Sequence, residues 1–168
     1  MAVTRNWDTR DLANHRITAD ELRADGYQLA GRVGPDAVET IRVSVDWPDD
    51  RGHVVYIMVV NGEFKKAGHT ETSLSTRMRG SFNALKHKMT DRAGHPRYQE
   101  TTFKEHAQAT IRAGNEIELW AQSLESSEAM ACEENELNTH YCGEWTKEGW
   151  SRHGVRRVWS KDVRRRNR

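Results

Sequence analysis

Between Val54 and Phe82 the chain reads VVYIMVVNGEFKKAGHTETSLSTRMRGSF, and this stretch leaves few folds open. Val54–Val60 is an unbroken apolar run rich in β-branched residues, which predicts a strand buried on both faces. Asn61-Gly62 follows, a pair whose tolerance of positive φ turns a chain tightly. Glu63–Gly68 then returns as a second strand. Thr70, Thr72 or Ser73 supplies a helix cap, and Leu74, Met78 and Leu85 keep roughly helical spacing behind it. The expected class is α+β: a small, mainly antiparallel sheet with a central β-hairpin, flanked by helices.

A hairpin that only builds core has no use for the polar groups this one carries. Tyr56 lies inside the first strand, Lys66 and Gly68 in the second, His69 just after it, and Arg77 on the helix. This order resembles the GIY-YIG nuclease family, whose first strand ends in a tyrosine, whose second carries an aromatic-x-glycine and whose next helix brings an arginine. The signatures stand here as Val55-Tyr56 within VVYIM and as Lys66-Ala67-Gly68, so Lys66 replaces the family's second tyrosine. A lysine there, with a histidine after the glycine, is most similar to the compact Type II restriction endonucleases of the group.

A second segment carries the other half of the resemblance. Glu134-Asn135-Glu136-Leu137, followed by Tyr141, Trp145 and Gly149, resembles the family's Glu-x-x-Leu helix and its later Trp-Asn and glycine, with Thr146 where asparagine is usual. Glu133, Glu134 and Glu136 compete for the role of acid. Met130, Glu134, Leu137 and Tyr141 share one helical face, whereas Glu133 and Glu136 are expected to turn away from it, so periodicity selects Glu134. The bland alternative is a Glu134 paired with a buried arginine such as Arg77.

At 168 residues the chain is long enough for one domain with a real core. The expected organisation is a single GIY-YIG-like domain over 1–168, with its core at about 54–149, an N-terminal extension over 1–53 and a basic tail over 150–168. No run approaches the roughly 20 apolar residues of a membrane span, and MAVTRNWDTRDLANHR lacks the pattern of a signal peptide, so a cytoplasmic location is expected. The net charge of +1 hides an asymmetry: Arg152, Arg156, Arg157, Lys161, Arg164, Arg165, Arg166 and Arg168 face the lone acid Asp162. Such a tail suits phosphates.

Elsewhere, Thr18 and Glu21 form a capping box for a helix expected over Thr18–Leu29, broken by Gly31, Gly34 and Pro35. Val38–Trp47 alternates as a half-exposed strand. Lys86–Gln99 is polar and reads either as a solvated loop or as a DNA-contacting insertion. Thr101–Ala113 predicts a helix, Glu116–Leu124 a strand, and Ser126 onward a further helix. Cys132 and Cys142 lack zinc-finger spacing and are expected to be reduced, partly buried thiols.

The resemblance implies a metal-dependent endonuclease acting on double-stranded DNA, of the Type II restriction kind and working as a homodimer. Alternatives are a phage-type or homing nuclease, or a non-catalytic nucleic-acid-binding protein of the same fold. By resemblance the catalytic set is Tyr56, Lys66, His69, Arg77 and Glu134, with Glu134 holding Mg²⁺ or Mn²⁺. Tyr56 is the general base with Lys66 assisting, or Lys66 is the base itself. Lys86, Lys88, Arg92, Arg97, Arg156, Arg157, Arg164 and Arg165 are the expected DNA contacts.

Shared chemistry requires Tyr56 and Lys66 on one face of the hairpin. A plain two-residue turn at Asn61-Gly62 pairs Tyr56 with Ala67 and turns Lys66 away. The expected solution is a three-residue loop, Val60-Asn61-Gly62, that sets Tyr56 opposite Lys66 and Met58 opposite Phe64 on one face, beneath the helices bearing Arg77 and Glu134.

Overall fold

The computed structural model describes residues 5–37, 40–48, 52–89 and 102–146. In chain order these form α1 (Ala19–Ala24), β1 (Gln28–Asp36), β2 (Thr40–Val45), β3 (Val54–Val60), β4 (Glu63–Thr70), α2 (Leu74–Met89), α3 (Thr102–Arg112), β5 (Ile117–Ser123) and α4 (Ser127–Tyr141). The strands make one sheet in the order β2-β1-β5-β3-β4, and every neighbouring pair is antiparallel. This is the α+β sheet flanked by helices that the sequence predicts.

All of β3 is buried, as its apolar run requires. Val54, Tyr56, Met58 and Val60 face a core filled by Leu74, Met78 and Phe82 of α2, Ala107 and Ile111 of α3, and Trp145. Val55, Ile57 and Val59 face the opposite core, filled by Met130, Leu137 and Tyr141 of α4 together with Ile17 and Leu22. The helices bearing Arg77 and Glu134 therefore lie on opposite faces, not together as expected.

The helix expected over Thr18–Leu29 is shorter. Thr18 Oγ1 accepts from the Glu21 N–H at 3.0 Å, as the capping box predicts, but the helix ends at Ala24 and Gly26 turns the chain at φ +93°. The supposed breakers lie within β1. A Cβ on Gly31 would sit 2.2 Å from the Ser44 carbonyl oxygen, so this glycine permits close strand approach rather than a break. Pro35 falls beyond Val33, where β1 pairs only with β2, and its missing N–H costs little there. Exposed Cys132 and Cys142 also depart from the expectation of partial burial.

The hairpin solves the facing problem by a different device. Asn61 (φ +50°) and Gly62 (φ +78°) form a two-residue turn, pairing Val60 with Glu63 and Val59 with Phe64. The register then slips by one: Lys65 is an extra residue, and Met58 pairs with Lys66, Ile57 with Ala67 and Tyr56 with Gly68. The bulge returns Lys66 to the Tyr56 face. Phe64 and Met58 consequently sit in opposite cores.

Candidate active site

β4 is an edge strand, and the candidate residues gather around it from both faces. On one face the Tyr56 ring lies across Gly68, so closely that a Cβ there would come within 2.4 Å of both Cζ and the hydroxyl oxygen. Only glycine fits beneath that ring. On the same face the Lys66 ammonium stands 4.8 Å from the centre of the Phe103 ring, whose quadrupole attracts a cation. Phe103 meets Phe82 and Trp145 edge to face, at 5.7 and 5.9 Å between centroids.

On the other face His69 Nδ1 contacts Glu134 Oε2 of α4. Glu134 is 4% exposed, so its carboxylate is sheltered from water. The tyrosine and the histidine–glutamate pair thus lie on opposite faces of β4, at the neighbouring residues Gly68 and His69. Arg77 is exposed in the first turn of α2, its N–H bonded to the Ser73 carbonyl at 3.0 Å. Ser73 Oγ accepts from the Thr76 N–H at 3.1 Å and provides the helix cap. Tyr56 and Lys66 therefore share one face of β4, while His69 and Glu134 meet on the other.

Glu133 does not turn away from the core as periodicity suggests. It is 5% exposed and receives both ends of the Arg5 guanidinium at 2.5 and 3.0 Å, the Tyr27 hydroxyl at 3.1 Å and the Gln122 amide at 3.2 Å. Arg5 also donates to Asp25 at 2.9 Å, and Arg10 joins Asp25 to the Tyr141 hydroxyl. Burial alone would lower the Arg5 pKa, but the Glu133 hydrogen bond and the surrounding negative charge outweigh it and raise it. Burial first, and then the Glu133 charge, push the Tyr27 hydroxyl well above its ordinary range, which keeps it a donor. Glu136, half-exposed, accepts from Trp7 Nε1 at 3.0 Å. The segment before Val54 thus clamps the far side of α4 as well as supplying two strands.

The edge of β4 is closed just short of the site. Phe64 N–H donates to the His15 carbonyl at 2.8 Å, and the Lys65 carbonyl accepts from Trp145 N–H at 3.1 Å. Lys65 Nζ reaches Glu144 at 3.0 Å and thereby holds the Glu144 carboxyl below its ordinary range. Gly143 packs so tightly on the bulge that a Cβ would lie 2.2 Å from the Lys65 oxygen. Sequence reasoning missed this role of the Gly143–Trp145 segment, and it missed Phe103 and Asn138.

Lys86 and Lys88 lie on α2, whose end is described without side chains there. Arg92, Arg97, Arg156, Arg157, Arg164 and Arg165 lie outside the described residues. Among the described residues no helix is long and apolar enough to cross a membrane, and no group of three or more His, Cys, Asp or Glu residues is placed to hold a metal ion.

No family model matches the chain, and no curated protein sequence matches it. Solved structures do. A mutant of bacteriophage T4 EndoII superposes with a TM-score of 0.53 at 14% identity, over 73% of this chain and 92% of that one. The restriction endonuclease HPY188I in complex with product DNA gives a TM-score of 0.48 at 18% identity, over 74% of each chain. The fold is shared with T4 EndoII.

Proposed function

We propose that this protein is a divalent-cation-dependent endonuclease of the GIY-YIG type that hydrolyses phosphodiester bonds in double-stranded DNA, as a Type II restriction enzyme does. The observation that carries the reading is the pair of contacts at neighbouring residues of β4: Tyr56 over Gly68 with Lys66 on its face, and His69 against Glu134 across the strand. The fold shared with EndoII supports it.

Hydrolysis needs a water made nucleophilic, a grip on the phosphate and neutralisation of developing charge. Tyr56 accepts the proton of the water as general base. To do so it acts as the phenolate, which its ordinary pKa of about 10 makes unfavourable unless a cation lies near, and Lys66 on the same face supplies that positive charge. His69 orients the water or the phosphate, and the planar donors of Arg77 clamp phosphate oxygens. Glu134 would hold Mg²⁺ or Mn²⁺. One sheltered carboxylate fits such an ion, because Mg²⁺ keeps several waters and completes its shell with substrate phosphate. When bound, the cation stabilises charge on the phosphate and the leaving oxygen.

Lys86, Lys88, Arg92, Arg97, Arg156, Arg157, Arg164 and Arg165 provide the grip on DNA. Each chain offers one such site, so cutting both strands calls for a homodimer. The test is a digest of unmethylated phage DNA with Mg²⁺. Discrete fragments that vanish with a chelator are expected; intact DNA with both Mg²⁺ and Mn²⁺ overturns the proposal.

A further inference from the structure

α4 runs alongside β4 in a fixed register that places Glu134 against His69. Four contacts mark it in order: Tyr141 stacks on Phe64 at 4.6 Å, the Asn138 amide meets Ala67, Glu134 meets His69, and the Ser127 hydroxyl donates to Glu71 at 2.7 Å. The spacing is a match of rises. One helical turn, Asn138 back to Glu134, advances about 6 Å. Two strand residues, Ala67 to His69, advance about 6.7 Å.

Among these contacts Asn138 is the one that fixes position along the strand. Its side chain is 3% exposed, its Oδ1 accepts from the Ala67 N–H at 2.9 Å, and its Nδ2 donates to the Ala67 carbonyl at 3.1 Å. It pairs with the strand edge as another strand would, and a slip of one residue along β4 loses both bonds at a buried site. The ring stack of Tyr141 tolerates sliding; two directed bonds to one residue of the strand do not.

We infer that Asn138 is a positioning residue, which sets the register of α4 on β4 and so brings the Glu134 carboxylate onto His69. Its consequence for cleavage rests on the nuclease reading above; its geometric content does not. The variant Asn138→Leu keeps the size and removes both bonds, while Asn138→Asp keeps the acceptor for the Ala67 N–H and loses the donor.

The primary measurement is a long-range ¹H–¹⁵N spectrum of the full chain without DNA, which shows which ring nitrogen of His69 carries its proton. In the native protein the proton of the neutral ring is expected on Nδ1, facing Glu134. In folded Asn138→Leu that preference is expected to disappear, with a partial loss in Asn138→Asp. A His69 spectrum unchanged in whichever variant folds overturns the inference. In parallel, kcat per folded molecule is expected to fall about 10–100-fold with KM for DNA unchanged, as for partners that orient a ligating side chain. A residue that merely stabilised the fold would lower Tm and leave kcat alone, which counts against the inference. A native protein that cuts nothing overturns the nuclease reading, and the His69 spectrum still decides the register.

Discussion

Glu133 and Glu134 are adjacent on α4 and almost equally buried, yet they face two different regions of the molecule. Glu133 looks toward the N-terminal clamp, where Arg5, Tyr27 and Gln122 donate to it. Glu134 looks toward β4, where His69 meets it. The difference teaches that burial does not by itself mark a working carboxylate. One that is saturated by a permanent cation and two fixed donors is structural, because releasing it would take from a buried guanidinium one of the carboxylates that hold it. Glu134, by contrast, meets a histidine ring on β4, and the proposed role of metal ligand falls to it.

The contrast is broken most forcefully at Glu134. Glu134→Gln is expected to reduce cleavage about 10³-fold, the scale of losing a group that stabilises transition-state charge, while DNA binding persists and Tm hardly moves. A cleavage assay beside a mobility-shift assay checks both halves. Glu133→Gln should do the reverse. It removes one of the carboxylates that pair with buried Arg5, leaving Asp25, and is expected to cost about 1–3 kcal/mol in urea unfolding, with kcat per folded molecule preserved. Normal cutting by Glu134→Gln alongside inactive, stable Glu133→Gln would invert the assignment.

Gly68→Ala probes the Tyr56 side alone. Its Cβ displaces the buried tyrosine ring, for an expected loss of about 1–3 kcal/mol in stability. Its loss of cleavage should match that of Tyr56→Phe and not add to it, since both act through the same hydroxyl. The smallest effect belongs to Glu144→Gln. That carboxylate is mostly exposed, so removing its pairing with Lys65 is expected to cost no more than about 1 kcal/mol. Because its folded pKa lies below the ordinary carboxylate range, the stabilisation is present above that range and disappears as pH falls through the folded value. The Tm difference between the two proteins should therefore shrink on acidification and stay constant above neutrality.

Much of the fold was legible in the chain. The apolar run of β3, the place of the turn at Asn61-Gly62 though not its length, the Ser126 cap of α4 and the stop of α3 near Gly114 each follow from local chemistry that acts within a few residues. β1 was not legible, because its glycines read as breaks unless the approach of β2 is known. The face of Glu133 was misread for a related reason: α4 is covered on two sides, which widens its buried arc beyond one stripe.

By itself, then, the sequence determined on which elements Tyr56, Lys66, His69, Arg77 and Glu134 ride, since residue type and periodicity are local properties. The facing of Tyr56 and Lys66 was decided only in three dimensions. Period two makes a strand's facing sensitive to a single extra residue, and the Lys65 bulge is held by Gly143 and Trp145 from far along the chain. Tertiary structure likewise decided which of two neighbouring glutamates is locked and which meets His69, because that depends on what packs against each side of one helix.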